Sequence, residues 1–270
     1  MTLILQEIRT KNPLIHHITN QVTMNFLANG ILAAGGSPMM AHHREEVGEA
    51  VAHADALVLN IGTLDPEMVQ SMLIAGKKAK ELGIPVIFDP VGAGLSNLRK
   101  NAARRIVDEI HPDAICGNAA EISFLLSSTW EGRGVDGHLE KNVEELVFET
   151  AKSLRTTVAL TGKTDVISDG SVVYTVNHGD ELLTRVTGTG CFATSLIGLF
   201  MAKSVETSLT PAERATKAVT MLNLCAEKAI NHSSGPGSFQ VSLLDALYAI
   251  DDEALKNAEK VKKVDVQQWR

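Results

Sequence analysis

What most constrains this chain is the recurrence of one pairing: a short run of branched apolar residues that breaks off in a polar or glycine turn, followed by a longer segment with helical spacing. The apolar runs are residues 56–60, 85–89, 114–116 and 157–161. They show no in-and-out alternation, as expected of strands buried on both faces. Helical spacing covers 66–82, closed by Gly83, then 98–110, closed by His111-Pro112, and 143–154. Strand and helix alternating with short connections build right-handed crossovers, so an α/β fold with a mostly parallel central sheet and helices on both faces is expected. After Gly162 the pattern changes. Residues 166–168 and 172–174 flank Asp169-Gly170, a tight-turn dipeptide, and predict an antiparallel hairpin at one sheet edge. The last third reads as helices over 191–203, 211–231 and 241–258, with Pro211 suited to a first turn, and residues 260–270 as a loosely held tail. No repeat or linker composition divides residues 1–270, so a single domain is expected.

Charge and cysteine usage supply the exclusions. With 25 Lys+Arg against 32 Asp+Glu the net charge is −7, which argues against a nucleic-acid footprint. A 44% hydrophobic content beside 21% charged residues suits a chain that buries a core. Cys116, Cys191 and Cys225 lie far apart, form no CxxC pair and have no histidine spaced as a second zinc ligand, so neither a disulfide framework nor structural zinc is indicated. Glu7, Arg9 and Lys11 interrupt the first apolar run, and no later run reaches the roughly 18 residues of a membrane span. These features point to a soluble cytoplasmic protein.

Parallel sheets collect ligands at the carboxyl ends of their strands. The segments leaving the strands here are Asn60-Ile-Gly-Thr63, Asp89-Pro-Val-Gly-Ala-Gly94, Cys116-Gly-Asn-Ala-Ala-Glu121 and Thr161-Gly-Lys-Thr164. Most specific is Val186-Thr-Gly-Thr-Gly-Cys191, which runs into an apolar helical pattern from Phe192. Its glycines let backbone N–H groups converge at a helix N-terminus, which is an anion site, but the same pattern also describes a loop that caps a core helix. Cys191 would open that helix, where the dipole lowers a thiol's pKa and favours a base or nucleophile; the alternative is a small buried hydrophobe. Asp89 and Glu121 suggest magnesium, which takes one or two carboxylates with waters and phosphates. An Asx turn at Asp89 and a helix-stabilising first-turn acid at Glu121 compete with that reading. Gly162-Lys-Thr164 is no Walker loop, since the first glycine would fall at Thr157. Adjacent pairs His16-His17 and His42-His43 diverge on an extended chain and do not chelate together. Met39 and Met40 are either core filler or the adaptable wall of a small aromatic ligand's pocket.

Taken together, His17-Ile-Thr-Asn20, Ala34-Gly-Gly-Ser-Pro-Met-Met40, Asn60-Ile-Gly-Thr-Leu64, Asp89-Pro-Val-Gly-Ala93, Gly117-Asn-Ala-Ala-Glu121, Arg133-Gly-Val-Asp136, Leu160-Thr-Gly162, Val186-Thr-Gly-Thr-Gly-Cys191 and Ser234-Gly-Pro-Gly-Ser-Phe239 span nearly the whole chain. In order and spacing this set resembles the hydroxyethylthiazole kinases of the ribokinase-like group. The resemblance implies ATP-dependent phosphorylation of the primary hydroxyl of 4-methyl-5-(2-hydroxyethyl)thiazole, in thiamine biosynthesis and salvage, with magnesium, by a homotrimer whose sites lie at subunit interfaces. Carried over position by position, it has Asn20, Val22, Met40 and Gly188 contact the thiazole alcohol. Asp89 and Glu121 then organise magnesium and the phosphates, and Cys116, Asn118 and Thr161 line the nucleotide. Thr189 and Gly190 complete the anion hole with Gly188. Cys191 stands where related sugar kinases carry an aspartate base. One departure is Cys116, which occupies a position that is often a basic ATP contact in the family.

Four other readings compete. The ribokinase-like group also holds a dehydratase acting on hydrated nicotinamide cofactors and kinases for other small alcohols, and a pocket without turnover would be a sensor. ADP formation that depends on a thiazole alcohol separates them. Acyl transfer through Cys191 would need a histidine base and an orienting group beside it, which the sequence does not place.

Overall fold

A computed structural model of the protein describes residues 3–129 and 142–269; the family-like motif Arg133-Gly-Val-Asp136 lies outside them. The strands are β1 (Leu14–Ile18), β2 (Ser37–Met39), β3 (Ala56–Asn60), β4 (Val86–Asp89), β5 (Ala114–Gly117), β6 (Thr157–Leu160), β7 (Asp165–Ser168), β8 (Val173–Val176) and β9 (Val261–Val264). They form one sheet in the order β2-β1-β3-β4-β5-β6-β7-β8-β9. Pairing is parallel from β2 to β6 and antiparallel from β6 to β9. The helices are α1 (Ile4–Lys11), α2 (Met24–Ala34), α3 (Val47–Ala52), α4 (Pro66–Glu81), α5 (Asn97–Ile110), α6 (Ala119–Thr129), α7 (Val143–Leu154), α8 (Thr189–Met201), α9 (Pro211–Ala229), α10 (Pro236–Ala249) and α11 (Asp252–Lys256).

The branched runs explain the layering. In β3, Ala56 and Val58 enter the core beneath α1, α2, α8, α9 and α10, while Leu57 and Leu59 enter the opposite core beneath α3 to α7. Ile87 against Val86 and Phe88, and Ala159 against Val158 and Leu160, divide the same way. Each strand therefore serves two apolar layers, which is why its sequence shows no period of two. Caps fix where the helices begin. The Asp65 carboxylate accepts from Met68 N at 2.8 Å with Pro66 at N1, the Ser96 hydroxyl accepts from Arg99 N, and Thr210 and Glu213 form a reciprocal capping box. Each such cap stabilises its helix by about 1 kcal/mol.

Three expectations change. The helix expected over 191–203 begins at Thr189 and stops at Met201. The helix expected over 241–258 is two helices, because Ile250 turns extended and Asp251 caps α11 by accepting from Ala254 N. The tail expected to be loose forms β9 instead, pairing with β8 from Val173↔Val264 to Val176↔Val261 and covering what would otherwise be the exposed edge of β8. Two strands that the apolar pattern does not single out, β1 and β2, extend the sheet beyond β3; the His16-His17 pair breaks the apolar run of β1. Their order matters, since the chain steps outward from β1 to β2 and then returns to the other side of β1 with β3. That reversal opens a crevice at the carboxyl ends of β1 and β3.

Candidate active site

The residues that leave the strands meet at that crevice. Asn20, just past β1, donates through Nδ2 to Asn60 Oδ1 at 3.0 Å, and the same amide lies 3.5 Å from Cys191 Sγ. Its own Oδ1 accepts from Thr23 N and Thr23 Oγ1 at 3.1 and 2.9 Å, which fixes the amide's orientation. Asn60 Nδ2 donates to Asp89 Oδ2 at 2.6 Å, and Asn60 Oδ1 also accepts from Gly62 N. Asn20, Asn60 and Asp89 thus form a buried polar line across the ends of β1, β3 and β4, with the Cys191 thiol against it. Behind them Arg99 donates to the carbonyls of Ile61, Val91 and Gly62 at 2.5–2.6 Å, clamping the loops after β3 and β4 together. His17 ties β1 to α8, with Nδ1 at 3.0 Å from Ile15 O and Nε2 at 3.2 Å from Ser195 Oγ. Burial lowers its pKa to about 4, so the imidazole is neutral. His16 turns the other way, toward Ala41 O at 2.7 Å, so the adjacent histidines do diverge.

Electrostatics reverse one expectation. Burial, reinforced by the Asp89 charge, pushes the Cys191 thiol up to about 12, although it sits in the first turn of α8. Asp89 is raised to about 7, mainly by burial and then by the Glu121 charge. Glu121 Oε1 and Oε2 accept from Gly92 N and Asn118 N, each at 2.8 Å, while Asn118 Oδ1 accepts from Glu121 N. Glu121 therefore caps α6 and faces Asp89 at once. Among the described residues no cluster of three or more His, Cys, Asp or Glu is placed to hold a metal. A pair of carboxylates with lone pairs to spare, mutually repelling in a buried crevice, does fit magnesium, which completes its shell with waters and phosphates. Thr194 Oγ1 is buried beside Asp89 and Cys116 without completing a hydrogen bond to either.

Gly188 precedes α8 in the left-handed region (φ 91°), where a Cβ would meet Thr23 Cγ2 at 2.6 Å. The amides of Thr189, Gly190 and Cys191 follow it in the first turn, where a helix has no internal acceptors. Thr189 and Gly190 also line a cavity of about 220 Å³ with Thr161, Gly162, Asp165 and Asn223. The structure thus brings together Asn20, Asp89, Cys191 and Gly188 on one side, and Thr161, Thr189 and Gly190 on the other. Val22, two residues past Asn20, is 67% exposed, and Met40 is half-buried against the core just after β2. Asn118 is exposed after β5, whereas Cys116 is buried in the core beneath α8, its thiol pushed well above the ordinary range by burial. A larger cavity, about 660 Å³, lies at the opposite, amino edge of the strands among Lys80, His111, Arg155 and Arg214, and none of the strand-exit residues lines it. Sequence reasoning passes over Arg99, Asp165 and Asn223. For Asn223 the clue is a polar side chain in the buried stripe of an amphipathic helix.

Residues 5–253 match the model of the Hydroxyethylthiazole kinase family. A hydroxyethylthiazole kinase from Moorella thermoacetica is 46% identical over 258 residues, 95% of each chain. The structure of a hydroxyethylthiazole kinase protein from Pyrococcus horikoshii OT3 superposes with a TM-score of 0.88 at 41% identity, covering 97% of this chain and 98% of that one. A ribokinase-like superfamily protein from Enterococcus faecalis V583 shares the fold at 14% identity, with a TM-score of 0.65 and 88% of each chain covered. With the family's span running from α1 into α11 and near-half identity across it, this chain belongs to the hydroxyethylthiazole kinase family.

Proposed function

We propose that the protein transfers the γ-phosphoryl group of ATP to the primary hydroxyl of 4-methyl-5-(2-hydroxyethyl)thiazole, a step in thiamine biosynthesis and salvage. The observation that carries this reading is the convergence of Asn20, Asn60, Asp89 and Cys191 within one hydrogen-bonded group beside the open first turn of α8. Asn20, Val22, Met40 and Gly188 receive the thiazole alcohol. Cys116 shapes the floor under α8, and Asn118 and Thr161 border the nucleotide. The amides of Gly188, Thr189 and Gly190 face the phosphoryl oxygens, where fixed donors act on developing charge without reorganisation. Asp89 and Glu121 would hold magnesium, which neutralises phosphate charge when bound.

Cys191 is protonated at neutral pH, given a thiol pushed up to about 12. It orients the alcohol through a sulfur lone pair while its S–H is directed at Asp89. Phosphoryl transfer passes through a loose transition state, so the alcohol need not ionise beforehand. The alcohol oxygen forms the new P–O bond, the bond to ADP breaks, and the alcohol proton leaves late, onto an oxygen of the transferred phosphoryl group. Exposure of Val22, next to the buried Asn20, supports a homotrimer in which a neighbouring subunit completes the thiazole wall. We place the protein in the cytoplasm; among the described residues no helix is long and apolar enough to cross a membrane.

The test is ADP release by the purified protein with ATP and magnesium, with and without hydroxyethylthiazole, and the mass of the product. Thiazole-dependent ADP and a product heavier by one phosphate are expected. Release that ignores the thiazole, or nucleotide binding without transfer, would overturn the assignment.

A further inference from the structure

The loop after β8 and the turn leading into β9 meet α9 in a polar cluster that the proposed transfer does not use. Glu227, near the end of α9, accepts from Gly179 N at 3.2 Å and from Lys260 Nζ at 3.0 Å, and both its oxygens lie 3.2 Å from His178 Nδ1. Lys260 N in turn lies 3.4 Å from His178 Nε2. With Nε2 accepting, Nδ1 carries the proton and donates to Glu227, so one imidazole tautomer satisfies both contacts. The cluster leads to a cavity wall. Asn223 stands four residues before Glu227, on the same face of α9, and Gly179 lies close beside it: a Cβ at Gly179 would meet Asn223 Cγ and Oδ1 at 3.3 Å. Asn223 Nδ2 donates to Asp165 Oδ2 at 2.5 Å, and Asp165 Oδ1 accepts from Gly162 N at 2.9 Å. Gly162, Asp165 and Asn223 line the cavity at the end of β6, while Gly162, Gly179 and Asn223 line an adjoining one of about 430 Å³.

We propose that Glu227, braced by Lys260 in the turn just ahead of β9, is a positioning residue for the nucleotide: it seats Gly179 against Asn223 and thereby sets the wall on which ATP rests. The inference relies on the reading above that the nucleotide lies along Thr161 and Thr189. Asn223 belongs to the wall itself, whereas Glu227 acts only through it.

The experiment measures steady-state kinetics and melting temperature for Glu227→Ala, Lys260→Met and Asn223→Ala in the full-length protein. Loss of a charged hydrogen-bonding partner predicts a rise in the KM for ATP of about tenfold in Glu227→Ala. The KM for hydroxyethylthiazole and the kcat at saturating ATP should stay within about twofold, since no transition-state contact is removed. Lys260→Met should show a smaller rise of the same kind, and Glu227→Gln, which keeps one acceptor for Gly179, should recover part of the loss. Lys260→Met is also the deciding variant should Glu227→Ala fail to fold. If Asn223→Ala raises the KM for ATP and neither Glu227→Ala nor Lys260→Met does, the positioning role is wrong and the nucleotide's location stands. If none of the three moves it, the location itself is wrong. A fall in kcat and in both affinities together with a lowered Tm would show that the cluster serves folding alone, which also overturns the proposal.

Discussion

Cys191 shows two physical effects of opposite sign meeting on one atom. A helix N-terminus stabilises an anion by roughly 0.3–1 kcal/mol, under one pKa unit, whereas burial displaces a titratable group by several units. Burial wins here, and the adjacent Asp89 adds to it, so the thiol rises to about 12. The sequence alone favours the opposite sign, because it shows the helix start and not the carboxylate that folding brings against it. Two outcomes are expected. Carbamidomethylation of Cys191 at pH 7, followed by peptide mass spectrometry, should be far slower than that of a free thiol and should accelerate with pH beyond 9; labelling at free-thiol speed would contradict the raised pKa. Cys191→Ala should lower kcat by about 10²-fold through misplacement of the alcohol, with little change in the KM for ATP, and Cys191→Ser, which can still donate to Asp89, should lose less. An unchanged kcat in Cys191→Ala would remove the residue from the chemistry.

At the scale of the element, α8 behaves differently at the two glycines that bracket its first residue. Gly188 has a positive φ and Thr23 in the way of any Cβ, while nothing lies within 4 Å of a Cβ at Gly190. Gly188→Ala should therefore lower stability by about 1–3 kcal/mol in denaturant melts. Gly190→Ala should melt as the parent does, yet lose phosphoryl transfer because the added methyl covers the amides. Equal melting losses in the two variants would mean that the loop only caps the helix. What was legible in the sequence follows the same division. β3, β4, β5 and β6 announce themselves because strands buried on both faces leave unbroken apolar runs, and α8 shows through its glycines. β1 does not, since His16 and His17 turn to opposite faces, where they meet Ala41 O and Ser195 Oγ, partners far away in sequence, and β2 is only three residues long. β9 reads as a charged tail because Lys262 and Lys263 are exposed, and only its pairing with β8 makes it a strand. The strand-end chemistry was readable as residue types; that Asn60 links Asn20 to Asp89 was not, because three separate crossovers deliver them.

For the whole molecule, a crevice that buries carboxylates works against folding. Two apolar layers on either side of one sheet hold the strand ends rigidly enough to keep Asp89 out of water and facing Glu121, and the carboxyl is raised to about 7 in consequence. The unfolded chain releases that proton in the ordinary carboxylate range near 4, so between about pH 4 and pH 7 the folded protein binds more protons than the unfolded one. Its stability therefore falls as pH rises through that window. Asp165, raised to about 6 by burial, adds a loss of the same sign, and His17, lowered to about 4, adds one of opposite sign that appears as pH falls. Both are present in an Asp89→Asn variant as well and cancel in the comparison. With EDTA present to remove divalent cations, Asp89→Asn should melt close to the parent at pH 4 and above it at pH 8. The gap should open by ~1.4 kcal/mol per pH unit across the window, to a few kcal/mol. The same variant should lose magnesium activation. Adding magnesium with nucleotide should then raise the parent's Tm and not the variant's, since only the parent keeps the carboxylate pair that a cation would relieve. Parallel melting curves from pH 4 to 8 would show that folding does not raise the Asp89 pKa.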